Sequence, residues 1–201
     1  TVPREKTFGN DNYTKIYEIN DIVANFYFDA LKNPKQKSIV QYLKERGISG
    51  QTAKNFKIGF ADFNQNELLK VLQSKFSEKD ILESGNFLKN EKGFYPFLRN
   101  RVTFPIFNST GKTIGFGGRV TDDSMPKYLN SKDSKFFNKT RELYGFNNAK
   151  KDHKTEDFIV TEGYMDVVML SEYGINNAVA SLGTAFSPVS YTHLTLPTMM
   201  S

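Results

Sequence analysis

Two carboxylates, Glu162 and Asp166, stand in the stretch FIVTEGYMDVVMLSEYG at 158–174, where an apolar run of strand character passes into one of helical character. Gly163 lies between them and offers a tight bend that could aim both into one crevice. In a strand–helix–strand unit, ligands bind at the loop leaving the carboxyl end of the first strand. Two hard oxygen donors with an open side suit Mg²⁺, which keeps part of its water shell and takes phosphate oxygens as further ligands. One of the acids could instead serve as a general base. The alternative is structural: the helix macrodipole favours acids in a first turn, and Thr161 or Glu162 could be plain capping residues. Spacing alone leaves both readings open.

A second group of residues offers the complementary chemistry. Arg99 and Arg101 flank the start of a β-like run, RVTFPIF, and Gly115, Gly117, Gly118 and Arg119 close the next, TIGFGGRV. Lys127, Tyr128 and Asn130 follow in PKYLN, then Lys139 and Arg141. Cations interleaved with an aromatic and an amide suit phosphate contacts plus stacking on unpaired bases. The glycines would let a strand backbone approach a ligand closely, or they mark a bulge. No helix and no Gly-Lys-Ser/Thr follows them, so they are weak as a phosphate loop. Tyr128 taken alone reads as a packed aromatic before it reads as a stacking platform. His153 sits in a charged loop and reads as solvated.

Charge along the chain follows the same division. Residues 1–88 carry 13 Lys/Arg against 11 Asp/Glu, residues 89–154 carry 14 against 6, and residues 155–201 carry none against 5. A basic middle before an acidic end is the asymmetry of a polyanion-binding surface beside a cation-binding site, although a solvated lysine-rich surface gives the same count.

The elements that must position these groups can be read from periodicity. Ile19, Ile22, Val23, Phe26, Tyr27, Ala30 and Leu31 recur at helical spacing, and Asn33-Pro34 ends the run. Short helices are expected at 38–46, with Gly47 as a left-handed cap, and at 51–56, 67–73 and 78–83. The runs at 101–107 and 113–120 form a hairpin around NSTGK. Residues 121–155 read as a long polar, irregular segment. A strand at 158–160, a helix at 164–173 and a strand at 177–182 make a βαβ unit with a right-handed crossover between parallel strands.

With 18 Phe and 10 Tyr in 201 residues, the chain has ample material for a core. The absence of cysteine excludes disulfides and thiolate metal sites and fits a reducing, cytoplasmic setting. No apolar run is long enough to span a membrane, and the opening TVPREKTFGN is not a signal peptide. It opens on Thr1 rather than Met, as a piece of a longer protein would. Residues 189–201 carry no charge or pattern and read as a non-native tail.

The segments RVTFPIFNSTGKTIGFGGRV, PKYLNS, LYGFNNA, VTEGYMDVVML and GINNAVASLGTA, in this order and spacing, closely resemble the RNA polymerase domain of bacterial DnaG-type primases. The resemblance extends from about Tyr17, through YEINDIVANFY, QYLKERGIS and KIGFA, to about Ser187. It implies an α/β fold: a mixed α+β N-terminal subdomain over 1–152, then the truncated start of a Toprim parallel sheet over 153–188. It implies synthesis of short RNA primers on a single-stranded DNA template from ribonucleoside triphosphates, by nucleotidyl transfer dependent on Mg²⁺, with Mn²⁺ as the alternative. Glu162 matches the family's catalytic glutamate and, with Asp166, its metal-binding acids. Arg99, Arg101, Arg119, Lys127, Tyr128, Asn130, Lys139 and, less closely, Arg46 match its template- and nucleotide-binding residues. The family's later Asp-x-Asp motif has no match before the resemblance stops, so this piece alone is expected to be inactive. Family zinc belongs to a domain preceding this region, and the contact with the replicative helicase to one following it. The competing readings are a non-catalytic single-stranded nucleic-acid-binding module and another Toprim enzyme.

Overall fold

The computed structural model describes residues 10–151 and 157–182. His153, the boundary between 152 and 153, and the tail at 189–201 lie outside the described residues.

The first helix, α1 (Asn10–Ala30), is longer than the apolar repeat suggests, because its polar first turns continue the same helix. Ile16, Ile19, Val23, Ala24 and Tyr27 form its buried stripe. Asn20 lies within that stripe, 1% exposed, and is satisfied at both ends. Its Nδ2 donates to the Thr113 carbonyl at 3.1 Å, and its Oδ1 accepts from Asn86 at 2.6 Å. Helices α2 (Lys37–Glu45) and α3 (Gly50–Asn55) follow, joined through Gly47 at φ 78°, the left-handed position that glycine adopts without penalty. Ser49 caps α3 by accepting from the Thr52 N–H. Helices α4 (Asn66–Gln73) and α5 (Glu78–Glu83) fall where the sequence places them, and a reciprocal Ser77–Asp80 capping box opens α5.

The central sheet has four antiparallel strands. These are β1 (Gly59–Ala61), β4 (Arg101–Phe107), β5 (Thr113–Arg119) and β6 (Tyr128–Asn130), in the order β1-β4-β5-β6. A separate hairpin, β2 (Phe87–Asn90) with β3 (Gly93–Pro96), precedes β4 in the chain. The chain closes with α6 (Phe146–Ala149), β7 (Ile159–Thr161), α7 (Tyr164–Glu172) and β8 (Ala178–Ala180). Strands β7 and β8 pair in parallel, as the βαβ pattern requires.

Alternation along the strands gives each face of the central sheet its own core. One face carries Phe60, Val102, Phe104 and Ile106 against Leu43 of α2 and Tyr164, Val167 and Val168 of α7. The other carries Ala61 and Phe116 against the buried stripe of α1. The segment after β5 departs from its polar reading. It holds β6 and α6 and buries Phe136, Phe137, Leu143, Tyr144 and Phe146, so two short apolar clusters pin an otherwise polar stretch to the core. Among the described residues no helix is long and apolar enough to cross a membrane.

Candidate functional site

The strand register decides where each candidate cation goes. Ala61 pairs with Arg101, Val102 with Arg119, and Arg119 with Tyr128. The end of β1, the start of β4, the end of β5 and the start of β6 therefore meet at one end of the sheet. Arg99, Arg101, Arg119, Lys127 and Tyr128 gather there. They do not all share a face. Arg119 stands opposite Val102, so it projects with Gly117, Tyr128 and Asn130 toward α2 and α7; Arg101, one residue earlier on β4, projects the other way with Gly118.

Arg119 is 5% exposed and held on three sides. Its Nε donates to the Tyr128 hydroxyl at 3.1 Å and Nη1 to the Val120 carbonyl at 3.2 Å. Its guanidinium lies 5.4 Å from the Tyr42 ring centroid and 5.7 Å from that of Tyr128. Arg46 sits 5.3 Å from the same Tyr42 ring, which joins this weaker candidate to Arg119. Tyr42 has no counterpart in the sequence reading, since nothing in SIVQYLKER distinguishes it from a packed aromatic. Its hydroxyl is buried with no hydrogen-bond partner among the described residues.

Arg101 is buried, and its Nη1 makes long 3.4 Å contacts to the carbonyls of Gly118 and Lys127. Burial pulls its guanidinium below the ordinary arginine value, and the nearby Asp122 carboxylate opposes that shift. Arg99 is exposed, its guanidinium 5.8 Å from the Phe63 ring. Lys127 is exposed. Lys139 is half-buried, with its N–H bonded to Asp133 Oδ1 at 2.9 Å, and no described contact ties its side chain to the basic end. The ion pairs of Lys32, Lys79, Lys89 and Lys135 involve none of the candidate cations, and among the described residues no bridging acid neutralises one.

The glycines of the GFGG stretch admit the chain's own side chains. A Cβ built on Gly117 would lie 2.5 Å from Cε2 of Tyr164, far inside contact distance. One on Gly118 would lie 2.8 Å from a Leu98 methyl and 3.1 Å from Arg101 Cδ. The register shift in this hairpin falls at Ile106/Phe107, on the other strand.

Tyr164 is the first residue of α7, two after Glu162, and it docks the helix onto the sheet. Its ring packs on Gly117, is stacked with Phe104 at 5.6 Å and lies 6.1 Å from Tyr128. Its hydroxyl donates to Asn130 Oδ1 at 2.5 Å, and Asn130 Nδ2 donates to the Leu182 carbonyl at 2.9 Å. Asn130 thus ties β6 to the start of α7 and to the segment just after β8. Burial pushes the Tyr164 hydroxyl up, the bond to Asn130 opposes this, and Tyr128 adds to it.

Glu162 and Asp166 are both exposed and make no hydrogen bond or ion pair with described residues. Gly163 is the N-cap of α7 with extended backbone, φ −140° and ψ 159°, so the bend needs no glycine-only conformation. A Cβ there would meet Asp166 Oδ2 at 3.3 Å. The Thr161 hydroxyl lies within hydrogen-bond reach of the Val179 and Gly163 carbonyls, at 3.2 and 3.4 Å, and neither Thr161 nor Glu162 caps the helix. No group of three or more potential ligands occurs among the described residues. Two exposed carboxylate donors fit part of a Mg²⁺ shell, the rest of which would be water and phosphate oxygen.

The profile described as the DNA primase catalytic core, N-terminal domain, matches residues 26–150, and the Toprim domain profile matches 156–196. The DNA primase of Clostridium acetobutylicum is 45% identical over 179 residues, covering 88% of this chain and 30% of its own length. That of Pseudomonas aeruginosa is 42% identical over 197 residues, covering 92% of this chain and 30% of the relative. A solved DnaG primase catalytic domain bound to single-stranded DNA superposes with a TM-score of 0.84 at 39% identity, over 92% of this chain and 60% of that one. The Escherichia coli primase catalytic core gives 0.82 at 40% identity, over 89% and 58%. The chain therefore spans about 30% of the length of these curated relatives.

Proposed function

Because this chain belongs to the DNA primase catalytic-core family, we propose that it is the template-gripping part of a polymerase that builds RNA primers on single-stranded DNA during replication. The observation that supports this reading is the bond from Tyr164 to Asn130, which ties the start of the helix that carries Asp166 to the strand that carries Tyr128.

In this reading Arg99, Arg101, Arg119, Lys127, Lys139 and Arg46 contact template or triphosphate phosphates, and Tyr128 offers its ring to a base. Asn130 acts at the same surface while its amide holds α7 and β8 in register with β6. Preorganised cations suit phosphoryl chemistry, where catalysis is largely positioning and stabilisation of charge. Glu162 and Asp166 would hold Mg²⁺, which when bound supplies charge neutralisation at the attacking and leaving oxygens. Glu162 is the catalytic residue. The two carboxylates alone leave most of a divalent shell to other groups, so primer synthesis belongs to the longer protein. The divisions 1–152 and 153–188 are proposed as its functional halves, and its helicase contact is proposed to lie outside this chain.

The test is paired. Full-length parent protein with Mg²⁺, single-stranded DNA and ribonucleoside triphosphates should yield short primers, and this chain alone should bind the strand without making product. Robust synthesis by this chain, or none by the parent, would overturn the assignment.

A further inference from the structure

The turn after β1 presents Phe63, 62% exposed, at the same end of the sheet as the candidate cations. It is the only phenylalanine among the exposed large hydrophobic side chains of the described residues, and the loop around it is not loosely held. Gln65, 2% exposed, donates its amide to the carbonyls of Asp62 and Leu98, both at 2.7 Å, and accepts from the Tyr27 hydroxyl at 2.9 Å. That clamp fixes the Phe63 turn against the segment carrying Arg99. The Asp62 carboxylate is taken up by the Phe63 N–H at 2.6 Å and by Gln36 Nε2 at 2.9 Å. Asn100, at φ 49°, precedes β4, and the guanidinium of Arg99 just before it lies 5.8 Å from the Phe63 centroid.

The same pairing occurs once more at this end of the sheet. Tyr128, 39% exposed, has the Arg119 guanidinium 5.7 Å from its centroid. Tyr128 is on the β6 edge and Phe63 follows the β1 edge, three strand spacings apart or roughly 14 Å. Arg101, on β4, lies between them, with its Nη1 3.4 Å from the carbonyl of Lys127 beside Tyr128. An exposed ring beside an arginine supplies a π-face for a base and a positive charge for its phosphate, without sequence preference.

We propose that Phe63 and Arg99 form a second stacking position for an unpaired nucleic-acid base, extending the single-strand path across the end of the sheet from Tyr128. The inference rests on the nucleic-acid reading above but concerns a residue to which that reading gives no role.

The chain has no tryptophan, so Phe63→Trp introduces a single reporter at the site. Titration with an oligodeoxythymidylate of about 16 nucleotides should quench its emission as a base stacks on the indole. In parallel, Phe63→Ala should weaken binding of the same fluorescein-labelled strand about 10-fold with an unchanged salt slope. Arg99→Ala should weaken binding and also lower the slope by about 1. Unquenched indole emission from the Phe63→Trp variant together with wild-type affinity for Phe63→Ala, in a chain that does bind the strand, would overturn the stacking position alone. If the unmodified chain fails to bind single strands at all, the proposed function falls and this inference falls with it.

Discussion

The two ends of the candidate site are built on opposite plans. At the basic end, guanidinium groups are held by rings and carbonyls of the chain itself. Arg119 alone engages Tyr42, Tyr128 and Val120, and no carboxylate bridges any candidate cation among the described residues. At the acidic end, Glu162 and Asp166 are exposed without hydrogen-bond or ionic partners among the described residues. Strand β7 there leaves Ile159 and Val160 more than 40% exposed. A cation stacked on aromatic rings keeps its full charge for a phosphate while its position is fixed in advance. Exposed carboxylates stay hydrated, and these two are positioned only by the turn from β7 into α7 and by the first turn of α7. The proposed polyanion-binding half is thus preorganised by this chain, whereas the proposed cation-binding half needs further ligands.

Perturbing each end separately should sharpen that contrast. The largest effect is expected from Glu162→Gln in the full-length parent: primer synthesis should fall at least about 100-fold. The same change in this chain should leave thermal stability within about 0.5 kcal/mol, since the side chain is exposed. A large loss of stability would mean that the acid is structural.

Next is Gly117→Ala, which breaks the joint between the two ends. Its methyl would enter the Tyr164 ring, and chemical denaturation should show a loss of about 3 kcal/mol. A neutral outcome would mean that α7 does not dock on the sheet as described.

Arg119 tests preorganisation itself. Arg119→Ala should weaken single-strand binding and lower the salt slope by about 1. Arg119→Lys should keep the slope yet still weaken binding several-fold, because an ammonium cannot reproduce the forked contacts to Tyr128 and Val120. Equal affinity for the lysine variant would show that charge alone matters at this end.

The smallest effects come from deleting single hydroxyls. Tyr164→Phe should cost about 1 kcal/mol, since it removes the donor to Asn130 while keeping the ring on Gly117. Tyr42→Phe should change stability and binding by less than about 0.5 kcal/mol, because that hydroxyl has no partner among the described residues and the ring is retained. If the two variants behave alike, the Tyr164–Asn130 bond is not what couples the ends.

Much of this arrangement can be read in the sequence. Helices α2 to α5, the β4–β5 hairpin and the βαβ close follow periodicity and punctuation that are local properties of the chain. The β2–β3 hairpin is harder to read: its strands are four residues each and only partly buried, so alternation is weak. Strand β6 and helix α6 lie in a stretch whose polar composition masks short core clusters such as Phe136-Phe137 and Leu143-Tyr144. The glycines of GFGG carry a readable sign of close approach, but not the identity of what approaches. Tyr42 and Phe63 left no signal, because an aromatic beside an arginine in space looks like any other aromatic in the chain.

Residue types and their spacing determined the family, the order of the main helices and of the β4–β5 and βαβ units, and the two kinds of chemistry, cationic and acidic, that the chain carries. Only the tertiary structure decided that Arg101 and Arg119 take opposite faces of one sheet, and that Tyr164 settles on Gly117 with Asn130 at its hydroxyl. The reason is geometric: side-chain direction in a strand alternates with period two, so a register set by distant pairings fixes every facing at once.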